Sequence, residues 1–362
     1  MSREVILIAG ARPNFMKIAP IAAAMRADGR LAPEIVHTEQ HYDRVMSELF
    51  FEQLGIPEPT LRLGVGSGSH AKQTAEVMIR LEPVLAERRP RGVLVVGDVN
   101  STVAATLVAV KLGIPVAHVE AGLRSFDRGM PEEINRILTD AVSDLLFVSE
   151  KSGVDNLAHE GIDPKRVHFV GNVMIDTLLR FRERALALSV PETMGLARGS
   201  YAVLTMHRPA NVDDPARLAE MLSPVSELGE RLPVLFPVHP RTKAMLASAA
   251  IGLSAGVRLV EPLGYLEFLG LLASAGLVLT DSGGIQEETT VLGVPCVTLR
   301  DNTERPVTIE LGTNRLAGVR ADGIRRGIAD ALAAKPRAGA PPLWDGRAAE
   351  RVVTALAAAW GD

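Results

Sequence analysis

A glycine-rich turn in the second half of the chain is the strongest candidate for binding an anion. The apolar run 277–280 leads into this turn and a helical pattern follows it; the turn consists of Asp281, Ser282, Gly283 and Gly284. Free backbone amides and the helix dipole at such a turn favour a diphosphate, and glycines let the backbone approach phosphate oxygens closely. Glu288 could then accept hydrogen bonds from ribose hydroxyls. The alternative is a tight strand-to-helix connection that binds no ligand.

Several carboxylates could act as acids or bases. Asp98 and Glu120 each follow an apolar, strand-like run, so we expect their side chains at the same edge of a sheet. Carboxylates gathered in one cleft raise the pKa of at least one of them, which provides a base or a protonated acid at neutral pH. A helix N-cap and a loop salt bridge are the alternatives for this pair. Glu132 and Glu133 open a helical pattern over 134–142, and for Glu133 we expect only a helix-start role.

Positively charged side chains complement these acids, because they could pair with a diphosphate and neutralise its charge as it departs. They follow predicted strands in both halves of the chain and are Arg12, Lys17, His207, Arg208 and His239. For His239, a structural hydrogen-bond donor is an equally good interpretation. The acids, the cations and the glycine-rich turn together predict an enzyme that acts on a nucleotide-linked substrate.

Short β-branched runs alternate with longer helical patterns along the chain, which is typical of βαβ units and parallel sheets. In the first half the sequence predicts strands at residues 5–9, 35–38, 92–96, 115–119, 145–149 and 167–170. In the second half it predicts strands at residues 202–206, 234–238, 258–260, 277–280 and 296–299. We also expect a helix near 16–27, and another that Asn100 and Ser101 cap and that runs to about Leu112.

These patterns predict the α/β class, with two Rossmann-like, doubly wound parallel-sheet domains that face a cleft. We place the N-terminal domain at residues 1–172 and the C-terminal domain at 173–340. A C-terminal helix within 341–362 is expected to pack back on the N-terminal domain. Ligands of open parallel sheets bind beyond the carboxyl ends of the strands, which is where the polar residues described above lie. The glycine-rich stretch 64–69 lacks dinucleotide-binding spacing, so we expect a loop there.

Composition excludes several classes of protein. The 362 residues are 47% hydrophobic and 23% charged, which is typical of a globular chain of about two domains. A net charge of -4 and 4% aromatic residues provide neither a basic field nor stacking platforms for nucleic acid. Because Cys296 is the single cysteine, an intrachain disulfide is excluded. It lies in an apolar strand-like run, so we expect a buried thiol with no chemical role. No metal-binding motif, export signal or membrane span is visible, so we expect a cytoplasmic protein.

Six motifs, taken together, resemble the non-hydrolysing UDP-N-acetylglucosamine (UDP-GlcNAc) 2-epimerase family. They are Gly10-Ala11-Arg12-Pro13 with Lys17, Gly97-Asp98, residues 118–124, residues 131–136, Thr205-Met206-His207-Arg208 and residues 281–288. The resemblance implies a fold like that of the two-domain GT-B glycosyltransferases, and reversible conversion of UDP-GlcNAc to its C2 epimer UDP-ManNAc. In that family, anti elimination of UDP gives a 2-acetamidoglucal, and UDP then adds back with the opposite C2 configuration.

The resemblance also implies roles for individual residues. By the matching motifs, Asp98, Glu120 and Glu132 are the acid/base carboxylates, and His207 assists the leaving phosphate. The residues implied to bind UDP are Arg12, Lys17, His207, Ser282, Gly283, Gly284 and Glu288. No cofactor and no metal are implied; the partners are a UDP-sugar and a second copy of the chain in a homodimer.

The sequence departs from the family pattern in two places. Some bacterial members bind substrate as an activator at a second site, part of which is matched by Gln40, His41, Arg208 and His239. However, Asp43 and Lys72 stand where Gln and Arg are usual; Asp repels a diphosphate, and Lys lacks the bidentate fork of Arg. We therefore expect weak or absent activation by UDP-GlcNAc. Pro209 and Ala210 replace the more usual Arg-Glu, so this loop is expected to contact a different sugar or another part of the cleft.

Alternatives remain open at this point. The substrate could be another UDP-2-acetamido sugar, such as a 2,3-diacetamido uronic acid derivative, or a hydrolysing relative could release free ManNAc and UDP. A GT-B glycosyltransferase would also use a nucleotide-sugar site at residues 281–288, but it needs an acceptor pocket in place of three acids. A non-catalytic nucleotide-sugar sensor is disfavoured because all the expected catalytic residues are present.

Overall fold

The chain forms two compact units in a computed structural model that describes residues 3–40, 55–56, 58–334 and 339–361. One unit, called unit 1, comprises Met1–Thr177 together with Pro342–Asp362, and the other, unit 2, comprises Leu178–Pro341. Each unit contains its own parallel sheet. The division between the units falls within one helix, five residues beyond the boundary that the sequence predicts near Asn172.

Unit 1 is built on a seven-stranded sheet in the order β3-β2-β1-β4-β5-β6-β7, with all neighbouring strands parallel. Its strands are β1 (Glu4–Ala9), β2 (Ala32–His37), β3 (Leu61–Arg62), β4 (Gly92–Val96), β5 (Val116–Val119), β6 (Leu145–Val148) and β7 (Val167–Phe169). Its helices are α1 (Arg12–Asp28), α2 (His70–Arg88), α3 (Asn100–Lys111), α4 (Pro131–Val142), α5 (Lys151–His159), a short 3-10 helix (Pro164–Arg166), α6 (Val173–Ala187, which runs into unit 2) and α15 (Ala348–Trp360).

Unit 2 repeats this plan with a six-stranded parallel sheet in the order β10-β9-β8-β11-β12-β13. Its strands are β8 (Ala202–Thr205), β9 (Val234–Pro237), β10 (Val257–Val260), β11 (Leu277–Thr280), β12 (Cys296–Thr298) and β13 (Asn314–Leu316). Its helices are α7 (Val190–Thr193), α8 (Pro209–Val212), α9 (Pro215–Gly229), α10 (Pro240–Ser248), α11 (Tyr265–Ala273), α12 (Gly283–Leu292), α13 (Val307–Glu310) and α14 (Ala321–Ala333).

The strand order fixes where a ligand can bind in each unit. In both sheets the first strand lies inside the sheet, so the direction of the crossovers reverses between β1 and β4 and again between β8 and β11. A crevice opens at the carboxyl ends of the strands at such a reversal point. Successive residues of β8, such as Val203 and Leu204, point to opposite faces of the sheet and belong to separate apolar cores. The predicted α/β class with two doubly wound parallel sheets is therefore confirmed.

The C-terminal helix α15 packs within unit 1. Trp360 at its end lies under Gly92, where an added Cβ would come within 2.5 Å of the indole ring. The Asp176 carboxylate accepts hydrogen bonds from the backbone N–H groups of Ala348 and Ala349, at 3.1 and 2.7 Å, at the start of α15. Burial raises the pKa of Asp176 to about 6, although these two N–H groups act in the opposite direction.

Some local predictions were wrong. The edge strands β3 and β13 were not predicted, because each is only two or three residues long and neither is a β-branched run. Asn100 and Ser101 do not cap α3: Val99 is the N-cap residue, and both polar residues lie in the first turn. The side chain of Gln40 supplies the cap instead, because its Oε1 accepts hydrogen bonds from Ser101 N (3.2 Å) and Ser101 Oγ (2.9 Å).

A buried charged network joins the centre of the unit 1 sheet to α4. Asp140 of α4 accepts a hydrogen bond from His118 Nδ1 on β5 (2.7 Å), and its other oxygen pairs with Arg124 (2.7 Å) and with Gly122 N (3.0 Å). His118 Nε2 lies 2.8 Å from the carbonyl oxygen of Gly97, so both ring nitrogens face oxygen atoms. Burial raises the pKa of Asp140, but the interactions with His118 and Arg124 together lower it by a larger amount, so the net shift is downward.

Replacing Asp140 by alanine is expected to lower the free energy of unfolding by about 3–5 kcal/mol, because it leaves the buried Arg124 guanidinium and the buried His118 ring without this partner. Urea denaturation followed by circular dichroism measures the change. The matched control is Asp155→Ala, which breaks an exposed pair with Lys151 (2.7 Å) and is expected to cost under about 0.5 kcal/mol. Equal losses for the two variants would contradict a special role for the buried network.

Candidate active site

Glu120 and Lys17 form a buried ion pair at the carboxyl end of the unit 1 sheet. Lys17 lies on α1, and Glu120 directly follows β5 in the left-handed backbone region, with φ of 72°. A non-glycine residue in that region is strained, and such strain is often found at functional sites. An added Cβ at Gly97 would lie 3.2 Å from the Glu120 carboxylate and 3.3 Å from the Lys17 ammonium. A side chain at position 97 would therefore crowd this pair, and the left-handed φ of Gly97 (67°) also favours glycine there.

Asp98, the next residue after Gly97, is held by an arginine of α4. Arg136 donates to Asp98 Oδ2 from Nε (3.0 Å) and from Nη2 (2.9 Å), while the Asp98 side chain keeps 28% of its surface exposed. The N-cap alternative for Asp98 does not apply, since Val99 is the N-cap residue of α3. Asp98 therefore presents a fixed and accessible carboxylate at the same sheet edge as Glu120.

The sequence predicts only a helix-start role for Glu133, but this residue has further contacts. Its buried carboxylate pairs with Arg136 and accepts hydrogen bonds from the backbone N–H groups of Ser125 (3.0 Å) and Phe126 (2.9 Å). Glu133 therefore binds both the loop after β5 and Arg136, the arginine that holds Asp98. Glu132, its neighbour in the first turn of α4, is half-buried. Three carboxylates, Asp98, Glu120 and Glu132, consequently belong to segments that meet at one edge of the sheet.

In unit 2, Asp281 and His207 form a pair at the ends of β11 and β8. The Asp281 side chain is completely buried, whereas the His207 side chain is 62% exposed, and His207 Nδ1 lies 2.9 Å from Asp281 Oδ1. Asp281 also accepts hydrogen bonds from the backbone N–H groups of His207 and Arg208. The glycine-rich turn that begins with Asp281 therefore holds the loop after β8.

The glycine-rich turn leads into α12, as the sequence predicts, with Ser282 as the N-cap residue and Gly283 and Gly284 in the first turn. A Cβ at Gly283 would lie 2.5 Å from Arg305 Nη1, so glycine is required here by a guanidinium. Arg305 is buried and pairs with Glu287 (2.7 Å) and with Glu304. Arg305 adds a cation to the candidate anion site, and sequence reasoning missed it because it lies beyond the motif in the chain.

Glu288 is buried in α12. Burial raises the pKa of Glu288 to about 8, and the negative charge of the neighbouring Glu287 adds to this shift. Glu287 itself pairs with Arg305 (2.7 Å). Glu288 is therefore largely protonated at neutral pH, and a group that donates hydrogen bonds to its carboxylate would favour ionisation.

The remaining predicted residues are Arg12 and those of the possible activator site. The structure does not describe the side chain of Arg12, and His41 and Asp43 lie outside the described residues. Gln40 is buried as the cap of α3, and Lys72 is exposed on α2. Arg208 donates from Nε to the carbonyl oxygen of Asp281 (2.9 Å). His239 caps α10, so its role here is structural, but its Nδ1 accepts from the Arg241 N–H (3.3 Å) and does not donate as the structural interpretation predicts. Whether these groups form an activator site stays a prediction.

Cys296 is a buried thiol on β12, in agreement with the structural role predicted for it. Across the part of the chain that the structure describes, no helix has the length and apolarity to cross a membrane. In the same residues, no three His, Cys, Asp or Glu side chains are grouped so that they could hold a metal ion.

Comparison with known proteins identifies relatives over nearly the whole chain. Residues 23–357 match the family described as UDP-N-acetylglucosamine 2-epimerase. The chain is 45% identical over 325 residues to the UDP-2,3-diacetamido-2,3-dideoxy-D-glucuronate 2-epimerase of Pseudomonas aeruginosa, covering 89% of this chain and 90% of that protein. It is 41% identical over 362 residues to the UDP-N-acetylglucosamine 2-epimerase of Methanocaldococcus jannaschii, covering 98% of both.

The fold is also that of a solved relative. The crystal structure of the M. jannaschii enzyme in complex with UDP-GlcNAc and UDP matches with a TM-score of 0.91, covering 98% of this chain and 99% of that one. The resemblance to the family, inferred from six sequence motifs, is thus confirmed along with the GT-B-like architecture. The chain belongs to the UDP-N-acetylglucosamine 2-epimerase family.

Proposed function

We propose that the protein is a non-hydrolysing UDP-GlcNAc 2-epimerase, which interconverts UDP-GlcNAc and UDP-ManNAc without a cofactor. The observation that carries the proposal is that the segments of Asp98, Glu120 and Glu132 meet at one sheet edge, where Asp98 and Glu120 are each paired with a cation. Unit 2 separately offers an anion-binding helix N-terminus with His207 and Arg305 beside it. Acids for proton transfer and donors for a departing diphosphate are the two requirements of an elimination.

The proposed reaction moves one proton and one leaving group. A carboxylate among Asp98, Glu120 and Glu132 accepts the C2 proton, and the electron pair of the C2–H bond forms the C1–C2 double bond. The C1–O bond breaks, and its electron pair leaves on UDP. Re-addition of UDP with protonation of C2 from the opposite face then gives the epimer.

Charge stabilisation of the leaving UDP falls to the remaining residues. His207 assists the departing phosphate, and the groups proposed to hold UDP are Arg12, Lys17, His207, Ser282, Gly283, Gly284 and Glu288. Lys17 also supplies the counter-charge of Glu120, so it links the acid/base group to the diphosphate. The homodimer and the cytoplasmic location stay predictions.

A second candidate is epimerisation of UDP-2,3-diacetamido-2,3-dideoxy-D-glucuronate at the same carbon. The P. aeruginosa relative named for that reaction, at 45% identity, favours it. Two further possibilities are less well supported. A hydrolysing epimerase would differ only in the fate of the glycal, and family membership weighs against a glycosyltransferase.

Incubation with UDP-GlcNAc in deuterated water tests the proposal. The expected product is UDP-ManNAc with deuterium at C2, because the proton returned to C2 comes from a carboxylate that exchanges with solvent. Nuclear magnetic resonance and mass spectrometry detect it. Free ManNAc with UDP would identify the hydrolysing reaction instead. Turnover of the diacetamido uronate alone would identify the second candidate.

Asp98→Asn is expected to abolish turnover while UDP binding changes little, because the amide keeps the size of the side chain but cannot take up a proton. Steady-state assays and calorimetric titration with UDP measure the two effects. The control is Asp155→Asn, an equal change of charge on the surface of unit 1, with expected activity near that of the unchanged protein. Near-normal turnover by Asp98→Asn would remove Asp98 from the acid/base set.

Glu288 predicts a pH dependence of UDP-GlcNAc binding. With a pKa of about 8, the free protein is protonated at Glu288 below that pH, whereas ribose hydroxyls donate to the ionised form. Affinity should therefore rise with pH, by up to about tenfold per unit, and level off above about pH 8.

Calorimetry in the Asp98→Asn background, where turnover does not interfere, measures this dependence. UDP-GlcNAc suits the test because its phosphates do not titrate in this range. Adding Glu288→Gln should flatten the profile. An unchanged slope in the double variant would show that another group is responsible.

A further inference from the structure

His207 has one ring nitrogen committed to Asp281. Its Nδ1 lies 2.9 Å from Asp281 Oδ1, and the side chain as a whole is 62% exposed while Asp281 is completely buried. The edge of the ring that carries Nδ1 therefore faces the protein interior. Because Nε2 lies on the opposite side of an imidazole, it is the nitrogen left for a ligand.

The second oxygen of Asp281 fixes the carboxylate itself. Oδ2 accepts hydrogen bonds from three donors: His207 N at 3.1 Å, Arg208 N at 3.0 Å and Asn211 Nδ2 at 3.1 Å. Three donors at one oxygen orient the group, so that Oδ1 points at the imidazole. The position of the His207 ring thus depends on a buried anchor and not on its own exposed surroundings.

The charge of Asp281 decides which proton His207 carries. Burial raises the pKa of Asp281. The hydrogen bond and charge of His207 and the N–H of Arg208 together lower the pKa by a larger amount, so the group is ionised. An ionised carboxylate only accepts hydrogen bonds. Nδ1 must therefore carry a hydrogen in both the neutral and the charged ring. Nε2 is then bare in the neutral ring and a donor in the imidazolium.

We propose that Asp281 is a positioning residue that fixes His207 with its Nδ1–H inward, so that Nε2 alone meets the diphosphate of a bound UDP-sugar. This inference rests on the proposed function and deepens it. As the C1–O bond breaks and its electron pair moves to the β-phosphate oxygen, the Nε2–H of the imidazolium donates a hydrogen bond to that oxygen. Asp281 balances the positive charge of the ring while this happens.

Asp281→Asn tests the proposal because the site forces the orientation of the new amide. His207 N lies near both oxygens, but Arg208 N and Asn211 Nδ2 donate to Oδ2 and retain the amide oxygen there, which leaves the NH₂ group facing His207 Nδ1. Nδ1 must then accept a hydrogen bond, and the neutral ring carries its proton on Nε2. Nitrogen-15 spectra of histidine-labelled protein at alkaline pH report the protonated nitrogen, and His207→Gln identifies the signal.

The expected result is an Nδ1–H ring in the unchanged protein and an Nε2–H ring in Asp281→Asn. The variant's kcat should fall by at least about 100-fold, because the amide carries no negative charge to stabilise the imidazolium, and a neutral ring stabilises the departing phosphate oxygen less. The dissociation constant for UDP should stay within about threefold, because the rest of the diphosphate site is intact. Asp213→Asn, which removes an exposed carboxylate paired with Arg241, is the matched control and should leave kcat unchanged.

The proposal is overturned if both proteins carry the same ring form, or if the variant keeps its kcat. If Asp281→Asn does not fold, the spectrum of the unchanged protein decides alone, since a ring protonated on Nε2 contradicts the assignment. The ring measurement needs no turnover. Failure of the unchanged protein to epimerise UDP-GlcNAc would therefore overturn the proposed function separately. The ring measurement would still decide the geometry of the Asp281–His207 pair.

Discussion

Ionised side chains buried at the carboxyl ends of the two sheets need partners, and this constraint shapes the candidate site. A carboxylate removed from water is costly unless an opposite charge or several N–H groups compensate it. Among the buried carboxylates, Glu120 has Lys17, Asp140 has His118 and Arg124, and Asp281 has His207 with three further donors. The partly exposed Asp98 in turn pairs with the buried Arg136. Each pairing fixes the direction of a reactive group, so the same contacts that compensate burial also prepare the chemistry.

The pairings in unit 1 are linked through a few segments. The Gly97 carbonyl accepts from His118 while the Asp98 side chain, one residue later, accepts from Arg136. His118 precedes Glu120 by two residues on the same chain segment, and Arg136 lies on α4, whose first turn contains Glu132. A shift of any one segment would therefore move more than one of the three acids. We infer that the relative positions of the acids are set as a group.

Much of this arrangement could be predicted from sequence. The strands β4 and β11 were predicted with their observed bounds because they are continuous apolar runs, as in strands covered on both faces. Asp98, Glu120, His207 and Asp281 were each predicted to follow a strand, and the structure places them at the carboxyl edges of the sheets, since parallel strands share one carboxyl edge. That inference needs only the order of strands and loops.

The partners of these residues could not be predicted in the same way. Lys17 and Glu120 are 103 positions apart in the chain, and Arg305 lies 18 positions beyond Glu287. No local pattern pairs such residues. Lys17 was predicted only as a diphosphate ligand, and Glu133 only as a helix-start residue, because a cation or an acid has many possible partners in a sequence. Glu288 illustrates the same limit: its raised pKa follows from burial, which the helical pattern alone does not give.

Asp98, Glu120 and Glu132 are proposed to act on the hexose of a bound UDP-sugar. A crystal structure of the Asp98→Asn variant with UDP-GlcNAc tests this proposal most directly. The account predicts that the side chains at positions 98, 120 and 132 lie around C2 of the sugar, within about 3–4 Å of the atoms that exchange protons. Carboxylates turned away from the hexose ring, with the sugar bound elsewhere, would contradict it.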